Sequence, residues 1–403
     1  MCDGRNLVRV MSLTPTPPGN RLLSREELGR PHPRYPLELY FCEDCHHVQL
    51  GHVVDPKILY QDHYFYVSAT SAQFVQHLKD YATQMVERFA LPPGALVADI
   101  GSNDGTCLRF FKQKGMSVVG VDPAIDIART ATEKGIETVP AFFSLDLAQD
   151  LRKKYGPAAF ITSHNACAHI DQLDDVMRGV AHWLSDDGIF VLEVGYFVDV
   201  YSNLFFDTIY HEHLDYHTVA PFRELFARTG MELLSVQRVS PQGGSIRVMA
   251  QKAGGRLQQD DSVADLIALE EKLGLDKPQS LVGFGERIAK LGDQVRVLLT
   301  RIRKEGKSIA AYGAPTKAVT LLSHFGIGSD LIDFVVEDNP LKHGKYLPTF
   351  NIPVVPTGEL YGRRPDYALI LAWNFAKPIM AMHQRYAKEG GKFIIPMPEP
   401  RVV

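Results

Sequence analysis

The stretch Val97-Ala-Asp-Ile-Gly-Ser-Asn-Asp-Gly-Thr106 decides the fold. An apolar run, Leu96–Ile100, ends in Asp-Ile-Gly. A loop with Gly101 and Gly105 follows, and Leu108, Phe110 and Phe111 then open a helix. Strand, glycine loop and helix begin an α/β unit. Its loop lies at the carboxyl end of the strand, where open α/β sheets bind ligands. The two glycines let backbone approach a ligand closely.

The spacing is Gly-x-x-x-Gly with acids on both sides, not the G-x-G-x-x-G of a dinucleotide site. Two carboxylates suit a cationic, phosphate-free cofactor such as S-adenosylmethionine. Asp122 ends the next apolar run (Val118–Val121) and is placed to accept hydrogen bonds from both ribose hydroxyls. The bland alternative is a turn with helix-capping aspartates.

Outward from this loop the α/β rhythm continues. Short apolar runs at 96–100, 118–121, 160–163 and 189–193 alternate with helix-length segments, as buried parallel strands do. Later strands fit 233–236 and 245–250, and 251–261 reads as a polar linker. Leu281, Phe284, Ile288, Leu291, Val295, Leu298 and Ile302 step by three and four, one long amphipathic helix packed on its own domain. Strands at 308–313, 331–336, 367–372 and 392–395 then form a second α/β unit, with a helix from near Thr316. Upstream, Phe74, Leu78, Tyr81, Met85 and Phe89 make 61–90 helical. Residues 1–60 read as a loop-rich module with little core, the turn clusters being Thr14–Gly19 and Pro31–Pro33. Such a module needs a staple, often a metal.

The 403 residues fit two or three domains. With 43 Lys+Arg against 47 Asp+Glu, the net charge is −4, so no nucleic-acid partner is expected. No apolar run approaches the roughly 20 residues of a membrane span, and the N-terminus has no signal-peptide core. Five sparse cysteines argue against a disulfide framework and for a reducing, cytoplasmic setting. A monomer is the default expectation. Two of the cysteines form Cys42-Glu-Asp-Cys45.

Tyr210-His-Glu-His-Leu-Asp-Tyr-His217 packs three histidines, two tyrosines and two acids into eight residues. A metal site is the rival reading, with HxH on a strand offering two ligands. The zincin spacing H-E-x-x-H is absent, and a third ligand at a clear spacing is missing. Acid/base chemistry is favoured, because a histidine beside a carboxylate is tuned for proton transfer near neutral pH. A hydrogen-bonded polar loop is the bland alternative. His169, in His164-Asn-Ala-Cys-Ala-His169, follows the strand at 160–163, where the ligand crevice should lie; substrate contact is favoured there, with a structural histidine as the alternative.

These segments, together with Tyr40–Leu50, Tyr64-Phe-Tyr-Val-Ser68, Ala311-Tyr-Gly-Ala-Pro-Thr-Lys317 and Val336–Lys345, resemble the sugar C-methyltransferases of deoxysugar biosynthesis over essentially the whole chain. The resemblance implies a zinc-binding module (1–60), a Rossmann-like class I methyltransferase domain (61–255) and a second Rossmann-like α/β domain (256–403) that binds nucleotide sugar. It implies methyl transfer from S-adenosylmethionine to a carbon beside a ketone of a nucleotide-linked 4-keto sugar. His213 would be the base, Tyr210 and Glu212 would orient it or the substrate, and His169 would sit near the sugar. Tyr64 and Tyr66 would wall the sugar and the sulfonium. Gly101, Asn103, Asp104, Asp122 and Asn165 would line the cofactor site. Lys317 would meet the nucleotide diphosphate, with a solvated surface lysine as the alternative. The family pattern has two CxxC pairs for one zinc. Here Cys2 stands as the second member of the first pair, beside Cys42 and Cys45. The expectation is an upstream start that supplies the fourth ligand, with His32, His46 or His47 in that place, or loss of the zinc, as alternatives.

Overall fold

The computed structural model describes residues 1–60 and 68–403, and nothing is stated for the side chains of Tyr60 and Thr70. Tyr64 and Tyr66 therefore lie outside the described residues.

The chain begins with β1 (Leu7–Thr16), β2 (Tyr35–Cys42) and β3 (Val48–Leu50). The central part carries β4 (Leu96–Ile100), β5 (Ser117–Val121), β6 (Thr138–Val139), β7 (Ala158–His164), β8 (Leu184–Gly195), β9 (Asp215–Tyr216), β10 (Met231–Val239) and β11 (Ser245–Lys252). Seven of these form one sheet in the order β10-β11-β8-β7-β4-β5-β6. Its β4, β5, β6, β7 and β8 pair in parallel, and β11 and β10 close one edge antiparallel. β4 sits centrally between β5 and β7, so the loop after it opens in mid-sheet. The long helix Pro278–Lys304 leads to the third sheet, which holds β12 (Ile309–Tyr312), β13 (Val335–Glu337), β14 (Val354–Pro356), β15 (Tyr367–Ile370), β16 (Lys392–Ile395) and β17 (Arg401–Val402). Their order is β14-β13-β12-β15-β16-β17, parallel but for β17. Among the described residues, no helix is long and apolar enough to cross a membrane.

The apolar runs of the central sheet became strands buried on both faces, Val97–Ile100 and Phe160–Ser163 being buried at successive positions. Several readings shift at their edges, the strand at 189–193 lengthening to Leu184–Gly195 and that at 233–236 to Met231–Val239. The helix expected over 61–90 is described as Ala72–Arg88, and the strand at 331–336 shortens to Val335–Glu337.

The N-terminal part departs further. Thr14–Gly19 is not wholly a turn, since β1 runs through Pro15 to Thr16. The strand tolerates proline because β1 is an edge strand and Pro15 falls at a register shift between Leu13↔Leu37 and Thr16↔Tyr35. Nor does this part depend on a small core of its own. Leu13, Leu37, Leu39 and Phe41 belong to one apolar cluster with Ile100 and Phe190 of the central sheet and Phe284 and Ile288 of the long helix. The sheet is completed from 166 residues away, because β9 pairs antiparallel with β3, Val48 against Tyr216 and Gln49 against Asp215. His47 Nε2 lies 2.6 Å from Asp215 Oδ1 at the same seam.

Candidate active site

The loop after β4 is built for close approach. Gly101 and Gly105 have φ of 73° and 74°. A Cβ at Gly101 would run into that of Ala166, and one at Gly105 would come within 2.8 Å of Ile136. Asn103 and Asn165 also take left-handed backbone, at φ 50° and 58°, so the loops after β4 and β7 curl toward the same space. Asp122 receives the N–H of Asn103 at 2.8 Å and of Ala124 at 2.9 Å, one on each oxygen. Each oxygen keeps a lone pair for a ligand hydroxyl. Burial raises the Asp122 carboxyl above its ordinary range, and those N–H groups oppose the shift. Asp104 accepts from Ala69 N and Thr106 N, and Asn103 Oδ1 accepts from Ser68 N. Asp99, the acid on the strand side of the loop, is buried with Oδ1 unpaired. These residues fit S-adenosylmethionine: a cradle that any side chain would fill, lined by carboxylates suited to its hydroxyls and positive charge.

The second cluster lies on the loop between the short helix Phe197–Asn203 and β9. Its HxH is a turn, not a strand, so the two histidines diverge. His213 Nδ1 is 2.8 Å from the carbonyl oxygen of Thr208. A carbonyl only accepts, so Nδ1 carries the proton and Nε2 is the acceptor. The Tyr210 hydroxyl donates to that Nε2 at 2.8 Å. The ring of His169 stacks on His213 with centroids 5.1 Å apart. Burial pushes His213 down to about 4, the Lys317 charge adding to the shift and the Thr208 bond opposing it. His211 turns away to the Tyr35 carbonyl at 3.2 Å.

Glu212 is buried, and Asn20 donates to its Oε1 at 2.8 Å. Burial raises this carboxyl to about 7, against the pull of Asn20 and Lys342. Asn20 in turn accepts from the Thr316 hydroxyl at 2.7 Å. Lys317, next in sequence, donates to Asn374 Oδ1 at 2.9 Å and lies 3.5 Å over the Trp373 ring. It is partly buried, not a solvated surface lysine. Trp373 Nε1 donates to buried Asp207 at 2.6 Å. The structure thus brings His169, Tyr210, Glu212, His213 and Lys317 to one junction of all three parts. Asn20, Asp207, Trp373 and Asn374 were missed from the sequence, because each acts through a partner distant in the chain. Trp373 carried one signal, being one of only two tryptophans.

At the other end of the N-terminal sheet, the sulfurs of Cys2, Cys42 and Cys45 lie within 4.8 Å of one another. Among the described residues no histidine or carboxylate joins that group. His32 Nε2 lies 3.1 Å from the Glu27 carbonyl, His47 is at Asp215, and the His46 ring stacks on Phe41. Three convergent thiols are a soft donor set that fits Zn²⁺, which would hold them as thiolates.

A glycine-cradled loop in mid-sheet, with an acid at the end of the neighbouring strand, is the arrangement an S-adenosylmethionine-dependent methyltransferase needs. Three stretches match known family profiles. Residues 1–60 match one described as "Putative zinc binding domain", 74–236 a "Methyltransferase domain", and 240–398 a "C-methyltransferase C-terminal domain". The chain is 36% identical over 403 residues to C-methyltransferase NovU of Streptomyces niveus, covering 100% of this chain and 96% of that one. The chain belongs to this C-methyltransferase family and is an S-adenosylmethionine-dependent C-methyltransferase. Solved structures are similar over the central part. Magnesium protoporphyrin IX methyltransferase of Synechocystis, solved with S-adenosylmethionine, is 16% identical with a TM-score of 0.34, covering 44% of this chain and 79% of that one. A methyltransferase of Clostridium acetobutylicum is 13% identical with a TM-score of 0.37, covering 46% and 94%. Likenesses this loose carry nothing further.

Proposed function

We propose that the protein transfers a methyl group to the carbon beside the ketone of a nucleotide-linked, dTDP-type 4-keto deoxysugar, as a cytoplasmic monomer. Parts 1–60, 61–255 and 256–403 would serve as zinc module, methyltransferase domain and nucleotide-sugar domain. The observation that carries the reading is the anchored His213. A C–H beside a ketone becomes nucleophilic only after losing its proton, so the site needs a neutral base aimed by its surroundings. The Thr208 carbonyl fixes the tautomer, and burial keeps the ring unprotonated near neutral pH. Tyr210 holds Nε2 until substrate arrives, and Glu212 fixes the loop through Asn20. His169, stacked on His213, bounds the sugar, and Tyr64 would complete its wall. Gly101, Asn103, Asp104, Asp122 and Asn165, with Tyr66, would hold S-adenosylmethionine, which supplies an electrophilic methyl group when bound. Cys2, Cys42 and Cys45 would hold a structural Zn²⁺.

The test is mass spectrometry of reactions with a panel of dTDP-4-keto sugars in deuterated water. A methylated product and deuterium at the acidic carbon are expected. Absence of both across the panel sinks the reading. If no dTDP or UDP binding is then detectable, a small acceptor without a nucleotide replaces it.

A further inference from the structure

The chemistry that creates an enolate also needs a positive group at the ketone oxygen, where the charge arrives. Two lysines of the third part come near this junction. Lys342 is drawn off, donating to the Ala314 carbonyl at 2.8 Å. Lys317 bears on His213, and its surroundings are unlike those of a phosphate-binding lysine. Its ammonium rests on the Trp373 ring and one amide oxygen, not in a direct carboxylate pair. The balancing acid, Asp207, is held one residue away by Trp373, with its Oδ1 unpaired. Asp207 immediately precedes Thr208, whose carbonyl anchors His213. One turn beyond Lys317, the Thr320 hydroxyl donates to the Ile209 carbonyl at 3.0 Å. The same helix, Lys317–Phe325, therefore grips the loop that carries the base and delivers a cation beside it.

We infer that Lys317 is a catalytic residue that stabilises the enolate oxygen, so that the third part contributes to the reaction and not only to nucleotide binding. This rests on the ketosugar reading above. The base takes the proton from the acidic carbon, and the C–H electron pair becomes the new C=C bond. The carbonyl π pair moves onto oxygen, and the Lys317 ammonium donates a hydrogen bond to that oxyanion. Asn374 and the Trp373 face hold the ammonium without neutralising it, and Asp207 keeps it protonated.

The experiment follows deuterium entry at the acidic carbon of the dTDP-4-keto sugar in deuterated water, with S-adenosylhomocysteine in place of the methyl donor. Wild type should exchange. Lys317→Met should exchange about 10²-fold or more slowly while binding dTDP within about twofold of wild type. Methylammonium added to Lys317→Ala should restore part of the rate. Lys317→Met exchanging at the wild-type rate, or losing dTDP binding with its exchange rate at saturation intact, overturns the inference in favour of a diphosphate contact. Should the variants not fold, the wild-type pH profile decides. The groups facing Lys317 are Asp207, His213, Trp373 and Asn374, and burial holds Lys317 down to about 8 against the pull of Asp207. Exchange should fall as pH rises through about 8, and a flat profile to pH 10 overturns the inference. If wild type exchanges with no sugar, the ketosugar reading fails and this role falls with it.

Discussion

Asn20 donates its side-chain amide to Glu212 at 2.8 Å while accepting the hydroxyl of Thr316 at 2.7 Å. One amide therefore joins the first part of the chain to the middle and the last. Its donor end faces a carboxyl that burial has raised to about 7. A carboxyl held above its unfolded value weakens folding as pH rises from about 4.5 to about 7, because the native state holds the proton longer. Glu212→Gln keeps the Asn20 bond and removes the titration. Wild type should lose up to about 3 kcal/mol relative to Glu212→Gln between pH 4.5 and 8. Urea unfolding of both proteins at the two pH values measures this. A constant difference would place Glu212 in contact with water.

His213 should remain neutral with its proton on Nδ1 well below pH 6. The two-bond ¹⁵N–¹H spectrum of histidine-labelled protein, titrated from pH 8 to 5, reads the tautomer directly. A midpoint near 6.5 would mean that the ring is not buried as described. His213→Asn should lower kcat by about 10²–10⁴-fold with cofactor binding retained. Tyr210→Phe should cost less, since it frees Nε2 without removing it. Turnover and calorimetry together separate the two effects.

Gly101→Ala should weaken S-adenosylmethionine binding by tenfold or more. Alanine at φ 73° is strained, and its methyl would occupy the space of Ala166. Gly94 also has positive φ, 81°, but nothing lies within 4 Å of its added Cβ. Gly94→Ala should therefore leave binding unchanged, and calorimetry on the pair isolates the cradle from backbone strain. Equal affinities in the two variants would remove Gly101 from the cofactor site.

Freshly purified protein should carry about one zinc per chain by atomic emission, and Cys42→Ser should carry clearly less. Because Cys42 ends β2, whose apolar residues belong to the shared core, the variant should also melt several degrees lower. Wild type with clearly sub-stoichiometric metal would leave the three thiols as a reduced cluster without an ion.

Much of the central fold was legible because buried parallel strands write themselves as apolar runs, and Leu96–Ile100 with its glycine loop could be little else. The Tyr210–His217 stretch stood out as a candidate site, since three histidines, two tyrosines and two acids fall within eight residues. What could not be read was partnership over distance. β1 looked like turns because Thr14-Pro-Thr-Pro-Pro-Gly19 carries turn residues, and only its edge position tolerates Pro15. β9 is two residues long, too short for any periodicity, and exists because β3 offers it a ladder. Asp207 and Trp373 lie 166 residues apart in the chain and meet through one hydrogen bond.

The pairing of β3 with β9 has a consequence for how such proteins can be recombined. A crossover near residue 60 exchanges β3 but leaves behind Asp215–Tyr216, which starts two residues after His213. Every chimera cut there must reconcile one parent's hairpin with the other parent's base-bearing loop. Productive crossovers should instead carry residues 1–60 and the 205–217 segment from the same parent, so that these two stretches are inherited as one unit.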